Sequence, residues 1–371
     1  MPNTDLSGLT STVLWAAFFL AAAFGALNQR TGFCTMGAVS DVVLMGDWDR
    51  MRQWALAAGA AILGFATLAA LGQIEPAKTL YASTRLIWLS AIAGGLVFGF
   101  GMVLSSGCVS KTLVRIGGGN LKSLVVALVL GIASFATLKG LTAVWRTSTV
   151  DRVATDMPSG TSLSNWLAQA SGMSASTAGW VAALAVGGAL VVWALSRRDF
   201  WSGANLLAGL GVAAVVTAMW WVSGHLGYVA EHPQTLEEVF IATNSGRAEA
   251  LSFVAPVAFT LDWLMFFSDK NKLLTVGIVS VFGVIAGSLA MSLAQRSFRW
   301  EGFGNTRDLG HHLTGAVFMG VGGVTAMGCS IGQGVSGVST LSAVSFIAVA
   351  GMIAGAVGGV KYQAWRLERD A

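Results

Sequence analysis

The three cysteines are the residues of this chain whose chemistry is most specific. They are Cys34, Cys108 and Cys329. Each lies in a short apolar segment that is interrupted by Gly, Ser, Thr or Asn; the segments are residues 28–45, 105–118 and 328–340. Irregular backbone at membrane depth is tolerated only where it is buried in protein or lines a wet cavity. The same rule therefore predicts that all three thiols lie at one interior site.

A thiol in such a segment can donate its S–H to a soft sulfur atom of a substrate. Each cysteine is followed by a short run that is compatible with a helix, and the N–H groups at a helix N-terminus suit an anion. A single free cysteine is more often only a small buried hydrophobic residue. Because all three fall in the irregular segments, we interpret them as stations on a substrate path.

The glycine-rich stretch around Cys329 repeats the stretch around Cys108. An offset of 221 residues (329 − 108) superposes the two cysteines and four pairs of glycines. The glycine pairs are Gly107 with Gly328, Gly101 with Gly322, Gly99 with Gly320, and Gly94 with Gly315. We interpret the chain as a single membrane transport domain, residues 1–371, that arose by duplication. The pseudo-repeats are roughly 1–144 and 249–362, with 145–248 as a connecting region.

Composition places the chain among polytopic, all-α membrane proteins. Hydrophobic residues make up 54% and charged residues only 11%, against about 25% charged residues in soluble domains. Apolar runs of about 20 residues recur, each long enough to cross a hydrocarbon core of ~30 Å. The net charge of +4 is ordinary for such proteins, whose Lys and Arg collect in cytoplasmic loops, and indicates no nucleic acid partner.

Nine membrane spans are predicted, and the basic residues give their orientation. The spans are residues 10–27, 53–72, 86–104, 121–141, 178–195, 203–224, 273–294, 312–327 and 342–360. A tenth apolar piece, 250–267, is broken by Pro256 and carries Asp262, so we expect a half-inserted or surface-lying helix there. With nine spans, 14 of the 22 Lys and Arg residues lie on the side of residues 28–52. The positive-inside rule then predicts a periplasmic N-terminus and a cytoplasmic C-terminus.

The same count predicts that the repeat is inverted. The Cys108 copy follows the third span and the Cys329 copy follows the eighth. Five spans separate them, so the two copies enter the membrane from opposite faces. Inverted repeats whose broken helices meet near the midplane are a recurrent plan among transporters.

Two polar residues next to Cys329, Ser330 and Gln333, are candidate donors to a substrate. The alternative, which fits equally well, is that they form hydrogen bonds to the unpaired backbone groups of a broken helix. Residues 332–337 also match the G-x-G-x-x-G pattern of dinucleotide sites, but they follow a membrane helix and not a strand, so that pattern fails its context test.

Two cations lie close to the thiols in the sequence. Arg30 and Lys111 are placed to attract an anion, with snorkelling to the interface as the alternative. Carboxylates in apolar surroundings are expensive and often functional. We therefore expect Asp41 to be either the salt-bridge partner of Arg30 or a coupling site.

Enzymatic function has no support in the sequence. No Ser/His/Asp order, paired-acid constellation or Walker motif is present, and no cofactor is expected. A thiol-lined path for a metal ion is the alternative, since thiolates select copper(I) or zinc, although no Met cluster accompanies the cysteines. A redox relay is a further alternative that would require cysteines close enough for a disulfide.

Several motifs resemble those of the YeeE/YedE family of bacterial inner-membrane transporters of sulfur compounds. They are Asn-Gln-Arg-Thr-Gly-Phe-Cys at 28–34, Ser-Ser-Gly-Cys at 105–108, Phe-Arg-Trp-Glu-Gly-Phe at 298–303, Arg-Asp-Leu-Gly-His-His-Leu at 307–313, Gly-Val-Gly-Gly at 320–323, and Gly-Cys-Ser-Ile-Gly-Gln-Gly at 328–334. The resemblance covers nearly the whole chain and is weakest over 145–248.

The resemblance implies uptake of thiosulfate or a closely related small sulfur anion, with selenium or other sulfur species as alternatives. It implies a helical protein with internal pseudo-symmetry, in which Cys34, Cys108 and Cys329 hand the anion along by S–H···S hydrogen bonds. It also implies a small cytoplasmic sulfur-carrier partner of the TusA type. No such domain is found up to Ala371, so we expect that partner to be a separate protein.

Overall fold

The protein is described by a computed structural model that covers residues 6–233 and 235–370, with the backbone alone at Asp370. Within these residues we number fourteen α-helices. They are α1 (Leu6–Thr31), α2 (Thr35–Met45), α3 (Asp49–Ala70), α4 (Trp88–Leu104), α5 (Val109–Gly117), α6 (Leu121–Lys139), α7 (Leu141–Ser148), α8 (Leu163–Ser171), α9 (Ala175–Leu195), α10 (Gly203–Trp221), α11 (Val254–Met265), α12 (Val276–Ala294), α13 (Thr306–Thr325) and α14 (Ala343–Asp370).

The strands of the described chain are short and lie between the helices. β1 (Arg85–Leu86) pairs antiparallel with β2 (Thr155–Asp156). β3 (Tyr228–Val229) pairs antiparallel with β4 (Val239–Phe240). The fold is therefore all-α, as the composition predicts, and the strand pairs only tie connecting segments together.

Eight segments of the described chain are long and apolar enough to cross a membrane. They are Leu6–Met45, Asp49–Ala70, Trp88–Gly117, Leu121–Lys139, Ala175–Leu195, Gly203–Leu226, Val276–Ala294 and Ala343–Arg369. These account for eight of the nine predicted spans. The remaining predicted span, 312–327, falls in α13, a 20-residue helix. The first turns of α13 carry two charged residues and two histidines, which lower its hydropathy.

The apolar piece that contains Pro256 forms a short helix, as expected. α11 has 12 residues, about 18 Å at 1.5 Å per residue, which is too short for a hydrocarbon core of ~30 Å. Pro256 lies in its first turn, where a missing N–H removes no helical hydrogen bond. Asp262 is paired with Lys272, so the buried carboxylate has a cationic partner.

In each predicted irregular segment a long helix ends and a short helix follows; we call this interruption a helix break. α1 ends at Thr31 and α2 begins at Thr35; α4 ends at Leu104 and α5 begins at Val109. The third break follows α13, and helical residues 330–339 come after it, with a π-helical core over Gly332–Gly337. Each cysteine directly precedes its short helix.

The long helices pack in matched pairs. α1 packs along α12, and α10 packs along α3; α14 packs along α4, and α13 packs along α6. We match α1 with α10, α3 with α12, α4 with α13 and α6 with α14. Under this matching the α1–α12 pair corresponds to the α10–α3 pair, and the α4–α14 pair corresponds to the α13–α6 pair. α9 lies outside this scheme and packs on α3.

Glycines at the crossing of α4 and α13 show the same reciprocity in detail. A methyl group on Gly94 would lie 2.7 Å from the carbonyl oxygen of Gly322, and one on Gly101 would lie 2.8 Å from that of Gly315. The helices are therefore antiparallel and touch through their backbones. In the 221-residue repeat, Gly315 is equivalent to Gly94 and Gly322 is equivalent to Gly101. Gly94 therefore contacts the equivalent of Gly101, and Gly101 contacts the equivalent of Gly94. This exchange supports the predicted inverted repeat.

We expect Gly101→Ala to destabilise the protein, because its methyl group would overlap the backbone of α13. Overpacking of this kind costs about 1–3 kcal/mol. The measurement is the thermal unfolding temperature of the purified protein in detergent. Gly188→Ala on α9 is the matched control, since no atom lies within 4 Å of its added methyl group, and it should leave the unfolding temperature unchanged or slightly raised. Equal effects of the two substitutions would contradict the close contact.

Candidate functional site

The three cysteines occupy the same local position, the residue just before a short helix. The Cys34 Sγ accepts a hydrogen bond from the Gly37 N–H at 3.5 Å, and the Cys329 Sγ accepts one from the Gly332 N–H at 3.3 Å. Cys108 precedes α5, and its Sγ lies 3.2 Å from the Ser110 hydroxyl. Each thiol is thereby held at the N-terminal end of a helix, where free N–H groups favour negative charge.

A residue in the left-handed backbone region lies two positions before each cysteine. These residues are Gly32 (φ 69°), Ser106 (φ 55°) and Met327 (φ 58°). This conformation costs a residue with a side chain about 1–2 kcal/mol. A left-handed residue at the same position thus turns the chain before each of the three cysteines.

The turns before Cys108 and Cys329 also share their hydrogen bonds. Gly107 N–H donates to the Met102 carbonyl and Gly328 N–H to the Gly323 carbonyl, both at 2.8 Å. This five-residue return, together with the left-handed residue, is the Schellman ending of a helix. The 221-residue repeat of the sequence is therefore a repeat of backbone conformation.

The thiols are buried and close to one another. Cys34, Cys108 and Cys329 are 8%, 1% and 0% exposed, and all three are free. The Cys34 and Cys108 side chains are close enough to interact directly, and Cys329 lies within electrostatic range of Cys108. The structure thus brings together the residues that the sequence predicts at one interior site.

The two predicted neutral donors beside Cys329 have different surroundings. Ser330 is 1% exposed, faces Cys108, and has no hydrogen-bond partner among the described residues. Gln333 donates to the Ala326 carbonyl at 2.7 Å and accepts from the Ser345 hydroxyl at 2.6 Å. Gln333 therefore stabilises the helix break after α13, whereas the Ser330 hydroxyl is still available to a ligand.

The cationic side of the site consists of Lys111, Arg50 and Arg115. Lys111 is partly buried on α5 and lies within electrostatic range of Cys34, Cys108 and the two arginines. The Arg50 guanidinium packs beside Gly37, the residue that donates to Cys34. Sequence reasoning selected Lys111 and missed Arg50, whose only signal was its place in a basic loop. We call Arg50, Lys111 and Arg115 the basic vestibule.

The structure places Arg30, the other predicted cation, on an outward face of α1. Its side chain is exposed on α1, whereas Asn28 is fully buried. Two residues along an α-helix correspond to a rotation of about 200°, so Arg30 points away from the interior that Asn28 faces. Asp41 pairs with Arg50 at 3.3 Å, so of the two expectations for Asp41 the salt bridge to Arg30 is wrong.

Three residues that the sequence did not single out lie at or near the segment that carries Cys329. The Tyr81 hydroxyl donates to the Gly332 carbonyl at 2.5 Å, and the Phe253 N–H at the start of α11 lies beside the Cys329 thiol. Glu249, in the connection before α11, is within electrostatic range of Tyr81. Burial raises the pKa of the Glu249 carboxyl, and a hydrogen bond from the Ser245 N–H at 2.8 Å acts against this shift.

This arrangement suits a soft anion. The half-helix N-termini, three thiols and a basic vestibule all favour negative charge, and sulfur donors match a sulfur ligand. In the part of the chain that the structure describes, no group of three or more His, Cys, Asp or Glu side chains is placed to hold a metal ion.

Comparison with known proteins agrees with this chemistry. The chain is 26% identical to the thiosulfate transporter TsuA of Spirochaeta thermophila over 344 residues, covering 91% of this chain and 94% of that protein. It is 25% identical to the thiosulfate transporter TsuA of Escherichia coli over 351 residues, covering 93% of each. A probable transporter of Escherichia coli, YedE, matches over 112 residues at 28% identity, covering 30% of this chain and 26% of that protein.

The family model described as sulphur transport matches residues 30–358. That match includes all three cysteines and the short helices that follow them. The protein is therefore a multi-pass membrane transporter and not an enzyme, and it belongs to the sulphur-transport family, YeeE/YedE.

Proposed function

We propose that this protein takes up thiosulfate, or a closely related small sulfur anion, across the bacterial inner membrane. The observation that carries the proposal is the convergence of Cys34, Cys108 and Cys329 at the N-termini of three short helices. Full-length similarity to two thiosulfate transporters supports the choice of anion.

In this mechanism the thiols act as hydrogen-bond donors. Thiosulfate is a dianion, so three thiolates would repel it, while three neutral thiols can each donate an S–H to its terminal sulfur. The anion passes from Cys329 to the neighbouring pair Cys108 and Cys34 without forming a covalent bond. The partial positive charge at each helix N-terminus stabilises the anion at every station.

The proposed topology sets the direction of this path. With α13 counted as a span, which gives nine in all, the inverted repeat places the break before Cys329 on the periplasmic side and the breaks before Cys108 and Cys34 on the cytoplasmic side. The antiparallel contact of α4 with α13 supports this arrangement. We extend the second repeat to begin at α10, because α10 packs on α3 as α1 packs on α12.

The basic vestibule then opens toward the cytoplasm. Its three cations would keep the dianion near Cys34 and Cys108 after it has crossed, and would attract an acidic surface on a partner. We therefore retain a separate TusA-like sulfur-carrier protein as the proposed acceptor of the transported sulfur.

Growth of a bacterium that cannot take up sulfate, on thiosulfate as sole sulfur source, tests the function directly. Expression of this chain should restore growth and the uptake of radiolabelled thiosulfate. Failure to restore either, with the protein present in the membrane, would refute thiosulfate as the substrate.

Cys329→Ser should reduce thiosulfate uptake about tenfold or more, because serine keeps a donor but loses the soft, polarisable sulfur. A tenfold loss corresponds to about 1.4 kcal/mol of binding or barrier free energy. Uptake of radiolabelled thiosulfate measures the effect, and the amount of protein in the membrane is the control. Full activity in the Cys108→Ser, Cys329→Ser double variant would contradict the thiol path.

Lys111→Gln should raise the apparent KM for thiosulfate about three- to tenfold, since it removes one charge that attracts a dianion at a partly buried position. The difference from the unsubstituted protein should shrink at high ionic strength, because salt screens the attraction. Arg30→Gln is the matched control and should change KM little. Equal effects of the two substitutions would contradict the basic vestibule.

A reporter that is active only in the periplasm should be inactive when fused after α14. The same reporter should be active when inserted in the connection between α8 and α9. The opposite pattern would overturn the proposed orientation.

A further inference from the structure

Three polar side chains in the thiol region are buried without a hydrogen-bond partner among the described residues. Asn28, Ser330 and Thr35 are 0%, 1% and 5% exposed. Both amide atoms of Asn28 and both hydroxyls lack a bond within the protein. A buried donor without a partner destabilises the protein, so the rare cases in native structures need an explanation.

Two of the three adjoin the thiols in sequence and in space. Thr35 follows Cys34 as the first residue of α2. Ser330 follows Cys329 and faces the thiol of Cys108. Their hydroxyls therefore lie in the same region as the three sulfur atoms.

Asn28 reaches this region from α1. It lies one turn beyond Phe24, and residues four apart share a helix face. The Phe24 ring centroid is 5.6 Å from that of Phe253, whose N–H lies beside the Cys329 thiol. Asn28 thus faces the protein interior, on the side of α1 that packs against Phe253 and six residues before Cys34.

The two kinds of donor match the two ends of thiosulfate. Its terminal sulfur is soft and suits the S–H groups, whereas its three sulfonate oxygens are hard acceptors that suit an amide N–H or a hydroxyl. Charge-assisted bonds of this kind are stronger than bonds between neutral groups. One anion could therefore pair donors that the empty protein leaves unpaired.

We propose that Asn28, Thr35 and Ser330 bind the sulfonate oxygens of the anion and that they select sulfur oxyanions over hydrosulfide. This proposal rests on the proposed function and adds its specificity-determining residues. The thiols hold the sulfur end, so the anion is recognised at both ends during its passage.

The test uses the purified full-length protein and three shape-conserving variants, Asn28→Leu, Thr35→Val and Ser330→Ala. Calorimetry measures thiosulfate affinity, competition measures hydrosulfide affinity, and thermal unfolding is followed without ligand. Each variant should weaken thiosulfate binding about 10- to 100-fold, as expected for one lost bond to a charged acceptor. Hydrosulfide affinity should stay unchanged, and the unfolding temperature of the empty protein should not fall.

Two further variants provide matched controls. Thr35→Ser keeps the hydroxyl and should retain thiosulfate affinity within about threefold. Ser134→Ala removes another fully buried hydroxyl that has no partner among the described residues, from a residue of α6 whose backbone packs against Gly320 in α13. It should leave the affinity for both anions unchanged.

Three results would overturn the proposal. Wild-type thiosulfate affinity in Asn28→Leu and Thr35→Val would show that these groups do not touch the substrate, while leaving the proposed function intact. Equal losses of thiosulfate and hydrosulfide affinity, with a lower unfolding temperature, would show a structural role. A folded wild-type protein that binds no thiosulfate would refute the proposed function and this inference together.

Discussion

The backbone at the three helix breaks is the constraint on which the rest of this structure depends. An unpaired N–H or C=O group at membrane depth costs several kcal/mol, so every break must be satisfied inside the protein. The chain meets this need with one repeated turn, in which a left-handed residue precedes each cysteine by two positions. Cys34 and Cys329 contribute to this directly, because their sulfur atoms accept hydrogen bonds from N–H groups of the helices that they precede.

The surrounding hydrogen bonds show how much of the interior serves these breaks. Gln333 links the last turn of α13 to α14 through Ala326 and Ser345. Tyr81 reaches the π-helical segment at the Gly332 carbonyl, and the Ser336 hydroxyl donates to the Leu251 carbonyl at 2.7 Å. The same bonds fix the thiols in place, so the scaffold of the breaks and the proposed path are one structure.

Sequence patterns predicted the membrane fold because its signals are local. Apolar runs located eight spans, and Pro256 correctly excluded α11 as a full span. The cysteine segments were recognisable because glycine and polar residues interrupt them. The span predicted at 312–327 falls in α13, a helix that begins earlier, at Thr306, with charged and histidine-containing turns.

The parts of the site that depend on tertiary contacts could not be read in the same way. The partner of Asp41 is Arg50 and not Arg30, because helix phase turns Arg30 outward. Tyr81 comes from a connecting segment that is distant in sequence from Cys329, and nothing in its neighbours signals this contact. Asn28 carried a usable signal, an amide at the end of an apolar run, but only the structure shows that it is buried without a partner among the described residues.

The glycine contact between α4 and α13 limits the motions that can carry a substrate. The two backbones approach at Gly94 with Gly322 and at Gly101 with Gly315, and Phe318 and Phe98 lie directly against glycines of the opposite helix. A slide of one helix along the other would replace these glycine contacts with bulkier residues. This contact resists sliding of α4 along α13. We therefore expect passage of an anion to involve displacements of the short helices and of the side chains around the thiols, rather than a large movement of α4 against α13.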